Sequence, residues 1–257
     1  MTLDTITDDV DRWTERLLAD GYCVIPGLLT ETAAALDRDL AEDFACTPFC
    51  AGGFYGARTK RFGRLLARSG HAEALVRHPL VIGIVERVLS PWCDTVQLNL
   101  TQAIALHPGA LPQLPHRDQD MWRGQLGEIE YLVNVMWPLT PYTRDNGATL
   151  VWPGSHGPRA LEPEIPTGEC PIEMAPGSAL LFLGSTLHGA GGNRTRSVRR
   201  ELDLLGGVDQ EIESLAALVR EGPSPLLRRA LAAFHRRRER IVAEIVAALV
   251  STKCRRP

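Results

Sequence analysis

The chain has 257 residues, of which 44% are hydrophobic and 23% are charged, and its formal net charge at pH 7 is −3. This length suits one large domain or two small ones, and the apolar fraction is near the average for globular proteins with a substantial core. The small net charge excludes the strongly basic class of proteins that bind nucleic acid or an anionic membrane surface through overall charge. We therefore expect neither nucleic acid nor a membrane as a partner.

The N-terminus is acidic, and no run of eighteen apolar residues exists in the sequence. The sequence therefore predicts neither a signal peptide nor a membrane-spanning helix. Its six cysteines are scattered, and no two of them form a Cys-x-x-Cys pair. Scattered thiols without a secretion signal are typical of reduced cysteines, so we expect a cytoplasmic protein.

The first third of the sequence is mainly helical in pattern. Helices are predicted over residues 8–20, 31–45 and 71–89, where apolar side chains recur with helical spacing. A turn at Asp20-Gly21 follows the first helix, and residues 22–25 then predict a short strand. Residues 46–64 are rich in glycine, arginine and aromatic side chains, and they predict a long loop.

The pattern changes after about residue 93. Apolar residues then occupy alternate positions, which is the period of a strand with one buried face: Val96, Leu98, Leu100, Ile104 and Leu106. Further short strands, separated by Pro/Gly turns, are predicted over residues 131–137, 148–152, 179–183 and 199–205. Such strands indicate a sandwich or barrel rather than a parallel sheet. We predict a mostly β protein with flanking helices (α+β), namely a double-stranded β-helix, or cupin-like jelly roll, braced by the N-terminal helices.

The end of the sequence is helical in pattern and basic. Residues 226–257 contain nine Lys and Arg against two Glu, which is typical of a solvated helix face, with a patch for an anionic partner as the alternative. The oligomeric state is left open, and this tail helix could form a homodimer. We predict one domain over residues 1–257, with a helical part over about 1–93, a β-helix core over about 94–210 and a helical tail over about 211–257.

Three side chains of metal-binding type combine within the predicted strands. His116 and Asp118 stand at positions i and i+2, which share one face of a strand, so both can bind one ion. His188 follows the strand at 179–183, and glycines beside it permit close approach of a cosubstrate. Two imidazoles and one carboxylate form the facial triad that holds non-haem Fe(II) and leaves positions open for a cosubstrate and O₂. His107, beside a Pro-Gly turn, is the rival ligand.

An arginine follows the second histidine at a distance that suits a cosubstrate. A guanidinium offers the fork of donors that the distal carboxylate of 2-oxoglutarate needs. Four arginines stand near this position, and local chemistry does not choose among them: Arg194, Arg196, Arg199 and Arg200.

Several segments together resemble the phytanoyl-CoA dioxygenase family of Fe(II)/2-oxoglutarate oxygenases. They are Gln113-Leu114-Pro115-His116-Arg117-Asp118-Gln119, Asn146-Gly147-Ala148-Thr149, Pro153-Gly154-Ser155-His156, and His188-Gly189 with Asn193 and Arg199. The resemblance runs from about Asp20 to Glu211, which is most of the chain. It implies a double-stranded β-helix in which His116, Asp118 and His188 bind iron.

The resemblance also implies how the cosubstrate is held. Arg199, rather than its neighbours, would bind the distal carboxylate of 2-oxoglutarate. Gln97, Trp122 and Asn134 match positions that line the cosubstrate pocket in relatives, and packing within the sheet or core is their alternative.

The activity implied is that of a dioxygenase that uses Fe(II), 2-oxoglutarate and O₂ to hydroxylate an aliphatic C–H bond of a small metabolite, as in natural-product tailoring. Halogenating relatives carry a small residue in place of the carboxylate, so Asp118 argues against halogenation. The same iron site would also serve desaturation, epimerisation or cyclisation.

Two alternatives come from other classes. A non-catalytic metal-binding β-helix protein is disfavoured by the intact ligands and by Arg199. A zinc hydrolase would leave Arg199 unexplained. For residues 46–64 we expect either an ordinary surface loop or a lid, and the cations of such a lid, Arg58, Lys60 and Arg61, could meet an anionic group of the substrate.

Overall fold

The computed structural model describes residues 3–121, 127, 129–162 and 164–207 of the chain. Trp122 and the predicted helical tail therefore lie outside the described residues. Among the helices that the structure describes, none combines the length and the apolar character needed to cross a bilayer.

Among the described residues, five α-helices precede most of the strands. They are α1 (Leu3–Asp20), α2 (Thr30–Asp39), α3 (Ala41–Cys46), α4 (Ala72–Val76) and α5 (Pro79–Leu89). The helix predicted over 8–20 is confirmed as α1. Each of the other two predicted helices is divided, at Leu40 and before Pro79. The second division has a steric cause, because a proline ring disfavours helical backbone at the preceding residue, and His78 is extended (ψ 118°).

In the part of the chain that the structure describes, nine strands form two antiparallel sheets. They are β1 (Tyr22–Ile25), β2 (Thr59–Gly63), β3 (Gln97–Leu106), β4 (Leu132–Pro138), β5 (Thr149–Val151), β6 (Cys170–Pro171), β7 (Ala179–Leu183), β8 (His188–Ala190) and β9 (Arg199–Gly207). The larger sheet has the order β1-β7-β4-β9-β3-β2, and the smaller has the order β6-β5-β8. The predicted jelly roll with bracing helices is thereby confirmed.

The larger sheet buries its two faces against different partners. Its outer face packs on the helices, in a core that includes Leu36, Ile84, Val135, Leu181 and Leu202. Its inner face meets the smaller sheet through a second cluster, which includes Met136, Phe182 and Val151. The strand predicted within 94–107 is confirmed as β3, but its alternate apolar residues do not form one buried face, because Leu98 is 41% exposed and residues 103–106 are all buried. There Ala103 and Ala105 join the helical core, whereas Ile104 and Leu106 line a cavity on the inner side.

The predicted loop over 46–64 was wrong in its last part, which is the edge strand β2. This strand pairs with β3 from Thr59↔Leu106 to Gly63↔Gln102. The sequence Thr-Lys-Arg-Phe-Gly shows no apolar alternation, because an edge strand needs only Phe62 in the core and carries charged residues between. The strand therefore fixes one end of the segment that was expected to act as a lid.

Candidate metal centre

The two ligand-bearing segments are joined side by side. His116 and His188 exchange two backbone hydrogen bonds, each with an N···O distance of 2.9 Å. His188 is the first residue of β8, and Asp118 begins a 3₁₀ turn that ends at Met121. The backbone pairing explains how residues 72 positions apart in sequence reach one place.

The three candidate ligands converge. One ligand atom from each of His116, Asp118 and His188 lies within 4.8 Å of the other two. Asp118 faces both rings, with Oδ1 at 3.6 Å from His116 Nε2 and Oδ2 at 3.5 Å from His188 Nε2. In the part of the chain that the structure describes, no other group of three such side chains converges. The rival ligand His107 is outside the group, and its ring packs on Phe49.

Hydrogen bonds set the orientation of both imidazoles. Nδ1 of His116 bonds to the carbonyl of Leu114 at 2.9 Å, and Nδ1 of His188 bonds to the carbonyl of Thr186 at 3.0 Å. Because Nδ1 must then carry the proton, Nε2 is left as the ligand atom facing Asp118. Burial lowers the pKa of His188, against the opposing effect of Asp118. A neutral imidazole is the form that binds a metal.

A buried network behind the ligands connects their two segments. Arg117 points away from the site, as its place between two ligands requires, and donates through NH1 to the carbonyl of Ser185 at 2.7 Å. The backbone amide of Gln119 donates to the carbonyl of Gly184 at 3.1 Å. Ser185 in turn bonds to Glu130 through both its amide and its hydroxyl. The turn that carries His188 is therefore tied to the His-x-Asp segment at several points.

Glu130 completes this network as a buried acid. Burial raises its pKa to about 7, and hydrogen bonds from Ser185 oppose the rise. Sequence reasoning did not find Glu130 or Ser185, since neither shows a motif. The sequence feature that could have pointed to this network was Arg117, the arginine between the two ligands.

The structure separates the four candidate arginines. Arg194 and Arg196 are exposed, and Arg200 faces the helices, where it pairs with Asp37 at 3.1 Å. Arg199 is 1% exposed and points to the inner face of β9. Its NH1 donates to the carbonyl of Gly147, and its guanidinium carbon lies 4.6 Å from the centre of the Tyr142 ring. Burial lowers the pKa of Arg199, but a guanidinium titrates so far above neutral pH that the group stays charged.

The carbonyl that Arg199 binds belongs to a glycine that the fold requires. Gly147 has φ +90°, and a Cβ there would lie 2.5 Å from a methyl carbon of Leu106 and 2.7 Å from the carbonyl oxygen of Gly191. Only a residue without a side chain fits such a conformation at such a distance. The Asn-Gly-Ala-Thr segment singled out in the sequence therefore supplies a backbone acceptor for Arg199.

Arg199 lines a cavity of about 330 Å³ on the inner side of the larger sheet. Other parts of the wall are Arg61, Ile104, Leu106, Gln113, Glu201 and the segment 52–59. This segment also reaches the metal ligands, because the ring of Phe54 packs edge-on against that of His116 at 5.0 Å. The cavity and the triad therefore share one covering segment.

The three cations predicted for the lid have different surroundings. Arg58 donates to the carbonyl of Pro108, and Lys60 donates to two carbonyls at the end of α3. Arg61 bonds to Gln102 at 2.8 Å and lies over the ring of Tyr55. The Nε atom of Arg61 is buried without a partner among the described residues.

The remaining predicted cosubstrate residues occupy different places. Asn134 is fully buried in β4, and neither atom of its amide has a hydrogen-bond partner in the described part of the chain. Gln97 begins β3, at the end opposite to Leu106, the residue that pairs with Arg199. Gln97 lines a separate cavity of about 280 Å³ beside α5. The structure therefore does not bring Gln97 to the cavity of Arg199.

Sequence reasoning missed two acids on the inner face, of which Glu201 is buried and Asp203 is half-buried. They follow Arg199 at alternate positions of β9, whereas Leu202 and Leu204 join the helical core. Burial raises the pKa of Glu201 to about 8 and that of Asp203 to about 7. The alternation of charged and apolar residues from Glu201 to Leu204 was the signal that could have found them.

Comparison with known proteins gives a family match over most of the described fold. The family model of phytanoyl-CoA dioxygenase (PhyH) matches residues 17–201. Dioxygenase trt7 of Aspergillus terreus is 30% identical over 201 residues, which cover 74% of this chain and 70% of trt7. Multifunctional dioxygenase prhA of Penicillium brasilianum is 31% identical over 231 residues, which cover 81% of this chain and 75% of prhA.

Solved structures share the fold. The non-haem α-ketoglutarate-dependent epimerase SnoN from nogalamycin biosynthesis superposes with a TM-score of 0.63 at 19% identity, over 78% of this chain and 83% of SnoN. HygX from Streptomyces hygroscopicus, solved with nickel, 2-oxoglutarate and hygromycin B bound, superposes with a TM-score of 0.60 at 16% identity, over 76% of this chain and 86% of HygX.

Proposed function

The chain belongs to the phytanoyl-CoA dioxygenase family and is an Fe(II)- and 2-oxoglutarate-dependent dioxygenase, and we propose that it hydroxylates an aliphatic C–H bond of a small metabolite in natural-product tailoring. The observation that carries this proposal is the convergence of His116, Asp118 and His188, with both Nε2 atoms facing one carboxylate. Two imidazoles and one carboxylate on one side of an ion are the donor set of non-haem Fe(II) oxygenases.

The donor set also fits the charge and access that a ferrous site needs. His188 is held neutral by burial, and Asp118 supplies one negative charge. The side chains of His116 and Asp118 are 20% and 19% exposed, so the cluster is reachable from one side and shielded elsewhere. When bound, iron and 2-oxoglutarate together reduce O₂ and supply the oxidant that removes a hydrogen atom from the substrate.

We assign to Arg199 the binding of the distal carboxylate of 2-oxoglutarate. Its burial and its place in the cavity wall support this role, since a guanidinium binds a carboxylate strongly where water is excluded. Asn134 remains a proposed cosubstrate residue because its buried amide lacks a partner in the described part of the chain. For Gln97 and Trp122 the support is the family resemblance alone.

The segment 52–59 has the place that a lid would need. Phe54 packs on a proposed metal ligand, and Tyr55 packs on Arg61 at the cavity wall. Covering the site would exclude water and keep the oxidant away from the rest of the protein.

The decisive experiment is an anaerobic titration of the full chain with Fe(II) and 2-oxoglutarate, followed by visible absorption. We expect a weak charge-transfer band that appears only when both are present, and we expect no band for Asp118→Ala. Absence of the band in the unaltered protein would contradict the assignment.

A screen of candidate metabolites for succinate release would then identify the substrate. The product mass distinguishes the reaction type. Hydroxylation adds one oxygen atom, desaturation removes two hydrogen atoms, and epimerisation leaves the mass unchanged. Cyclisation by loss of two hydrogen atoms would be separated from desaturation by the number of double bonds.

We also propose a small-molecule substrate, without nucleic acid or membrane as a partner, and a cytoplasmic location. The net charge of −3 supports the first proposal. The thiols Cys23, Cys46, Cys50 and Cys170, none of them in a disulfide, support the second. A homodimer formed through the tail would be detected by sedimentation of the full chain against a chain ending after residue 210.

A further inference from the structure

A buried acid stands beside the arginine that we assign to the cosubstrate. Oε1 of Glu201 accepts a hydrogen bond from NH2 of Arg199 at 2.8 Å, and the two side chains are 2% and 1% exposed. Both residues line the same cavity of about 330 Å³. Oε2 of Glu201 is buried and has no hydrogen-bond partner among the described residues. A polar oxygen beside the proposed carboxylate site is therefore available to a ligand.

This arrangement would place two carboxyl groups at one guanidinium. Arg199 already donates to Gly147 and Glu201, and its buried Nε has no partner in the described part of the chain. A bound 2-oxoglutarate would bring a second negative charge to the same donors. Two ionised carboxylates at close range in a buried site repel each other strongly, and such pairs are relieved when one of them keeps a proton.

We propose that Glu201 is a second residue that binds the distal carboxylate of 2-oxoglutarate, as a neutral carboxylic acid that donates a hydrogen bond through Oε2. Oε1 continues to accept from Arg199. The proton comes from solvent, so binding of the dianion is accompanied by uptake of one proton wherever Glu201 is ionised beforehand. The proposal rests on the role assigned to Arg199 in the proposed function.

Burial and a neighbouring acid favour the neutral form of Glu201. Burial, and to a smaller extent Asp203 on the same strand, raise its pKa to about 8, and Arg61 from β2 opposes the rise. The guanidinium of Arg199, which donates to Oε1, also acts against the neutral form. The residue opposite Glu201 on β3 is the apolar Ile104.

The sign of the expected pH dependence follows. Below about pH 8 Glu201 already carries the proton, and binding of 2-oxoglutarate takes up little. Above that pH the proton must be acquired on binding, so affinity falls as pH rises, approaching about tenfold per pH unit. The carboxylates of 2-oxoglutarate stay ionised over this range and contribute no dependence.

Calorimetry measures both the affinity for 2-oxoglutarate and the number of protons taken up on binding. The probe is 2-oxoglutarate titrated without oxygen into the full chain loaded with Mn(II), from about pH 6.5 to about pH 9, in two buffers of different ionisation enthalpy. For the unaltered protein we expect proton uptake that rises toward one per 2-oxoglutarate, together with the fall in affinity. For Glu201→Gln, whose amide is a permanent donor of similar shape, we expect neither the uptake nor the fall.

The control is Asp37→Asn, the same change of acid to amide at the pair that Arg200 makes on the opposite face of the sheet. It should keep the pH dependence of the unaltered protein. The inference is overturned if the unaltered protein binds 2-oxoglutarate with no pH dependence and no proton uptake, or if Glu201→Gln keeps both. If Glu201→Gln fails to fold, the proton uptake measured for the unaltered protein still tests the inference. If the unaltered protein does not bind 2-oxoglutarate at any pH, the proposed function fails instead.

Discussion

The two faces of the six-stranded sheet carry side chains of opposite character, apolar on the outer face and polar on much of the inner face. The outer face, against the helices, is almost entirely aliphatic, as at Val133, Val135, Leu181, Leu183, Leu202 and Leu204. The inner face carries Arg61, Gln102, Asn134, Arg199, Glu201 and Asp203, which are positions of the same strands shifted by one residue. Several of these polar side chains have atoms without a partner among the described residues. The outer face therefore stabilises the fold, and the inner face is shaped for a ligand.

The energetic contrast between the faces is large. Burying a leucine or valine side chain contributes about 1.5–3 kcal/mol to stability. A buried polar atom that lacks a hydrogen bond costs about 1–3 kcal/mol. Polar atoms that are buried without partners on one face therefore lower the stability of the sheet. Such unfavourable local features are expected at functional sites.

The largest expected effect comes from replacing one of two adjacent arginines on β9, which lie on opposite faces of the sheet. Arg199→Ala should weaken 2-oxoglutarate binding by about 2–5 kcal/mol, because a buried charged pair is lost, while metal binding changes far less. Calorimetric titration of the Mn(II)-loaded protein with 2-oxoglutarate measures this difference. Arg200→Ala, one residue away on the outer face, should leave the affinity unchanged. Equal affinity for Arg199→Ala and the unaltered protein would remove the assigned role.

The second prediction concerns the contribution of the outer face to stability. Leu202 is fully buried against the helices, so Leu202→Ala should lower the free energy of unfolding by about 2–5 kcal/mol, through lost burial and a remaining cavity. Urea unfolding followed by circular dichroism gives the value. The control is Leu18→Ala at a position 47% exposed, where we expect a change below about 1 kcal/mol. A loss below about 1 kcal/mol for Leu202→Ala would show that the outer face does not hold the fold in this way.

The network behind the metal ligands gives a smaller effect. Arg117→Met replaces the aliphatic stem but loses the guanidinium and its hydrogen bond to Ser185, so the turn before His188 is less firmly held. We expect metal affinity to fall about tenfold or more, as for other partners that orient metal ligands, with a shifted charge-transfer band. Arg117→Lys should restore part of the affinity. Arg77→Met, at an exposed pair with Glu73, should have no effect. Unchanged affinity and spectrum for Arg117→Met would reject a positioning role.

The sequence predicted those parts of the site that follow from local spacing. His116 and Asp118 were found from their i, i+2 positions and His188 from its place after a predicted strand and beside glycines, and the structure brings the three together. Choosing Arg199 among four arginines needed the family pattern. The burial that distinguishes Arg199 is a property of the assembled sheet, which no local pattern records.

What the sequence did not predict depends on long-range pairing. β2 was missed because its residues become a strand only by pairing with β3. Glu130 and Ser185 are 55 positions apart and carry no motif. Glu201 and Asp203 were missed, because alternation identifies two faces of a strand but does not tell which face is covered by a second sheet.

The smallest expected effect compares two buried asparagines. Asn193 is 1% exposed, and its amide is fully bonded, with Nδ2 donating to the carbonyls of Leu106 and Ser197. Asn134 is equally buried, but its amide has no partner in the described part of the chain. Asn193→Val should therefore destabilise the protein, since two buried carbonyls lose their donor.

Asn134→Val should act in the opposite direction. It removes a buried amide without breaking a bond seen in the structure, and valine suits a strand, so the free energy of unfolding should rise by about 1 kcal/mol. If Asn134 binds the cosubstrate, the same change should weaken 2-oxoglutarate binding. Higher stability with unchanged 2-oxoglutarate affinity would leave Asn134 as a packing residue. Lower stability would contradict the expectation, because it would mean that the amide of Asn134 makes hydrogen bonds that stabilise the fold.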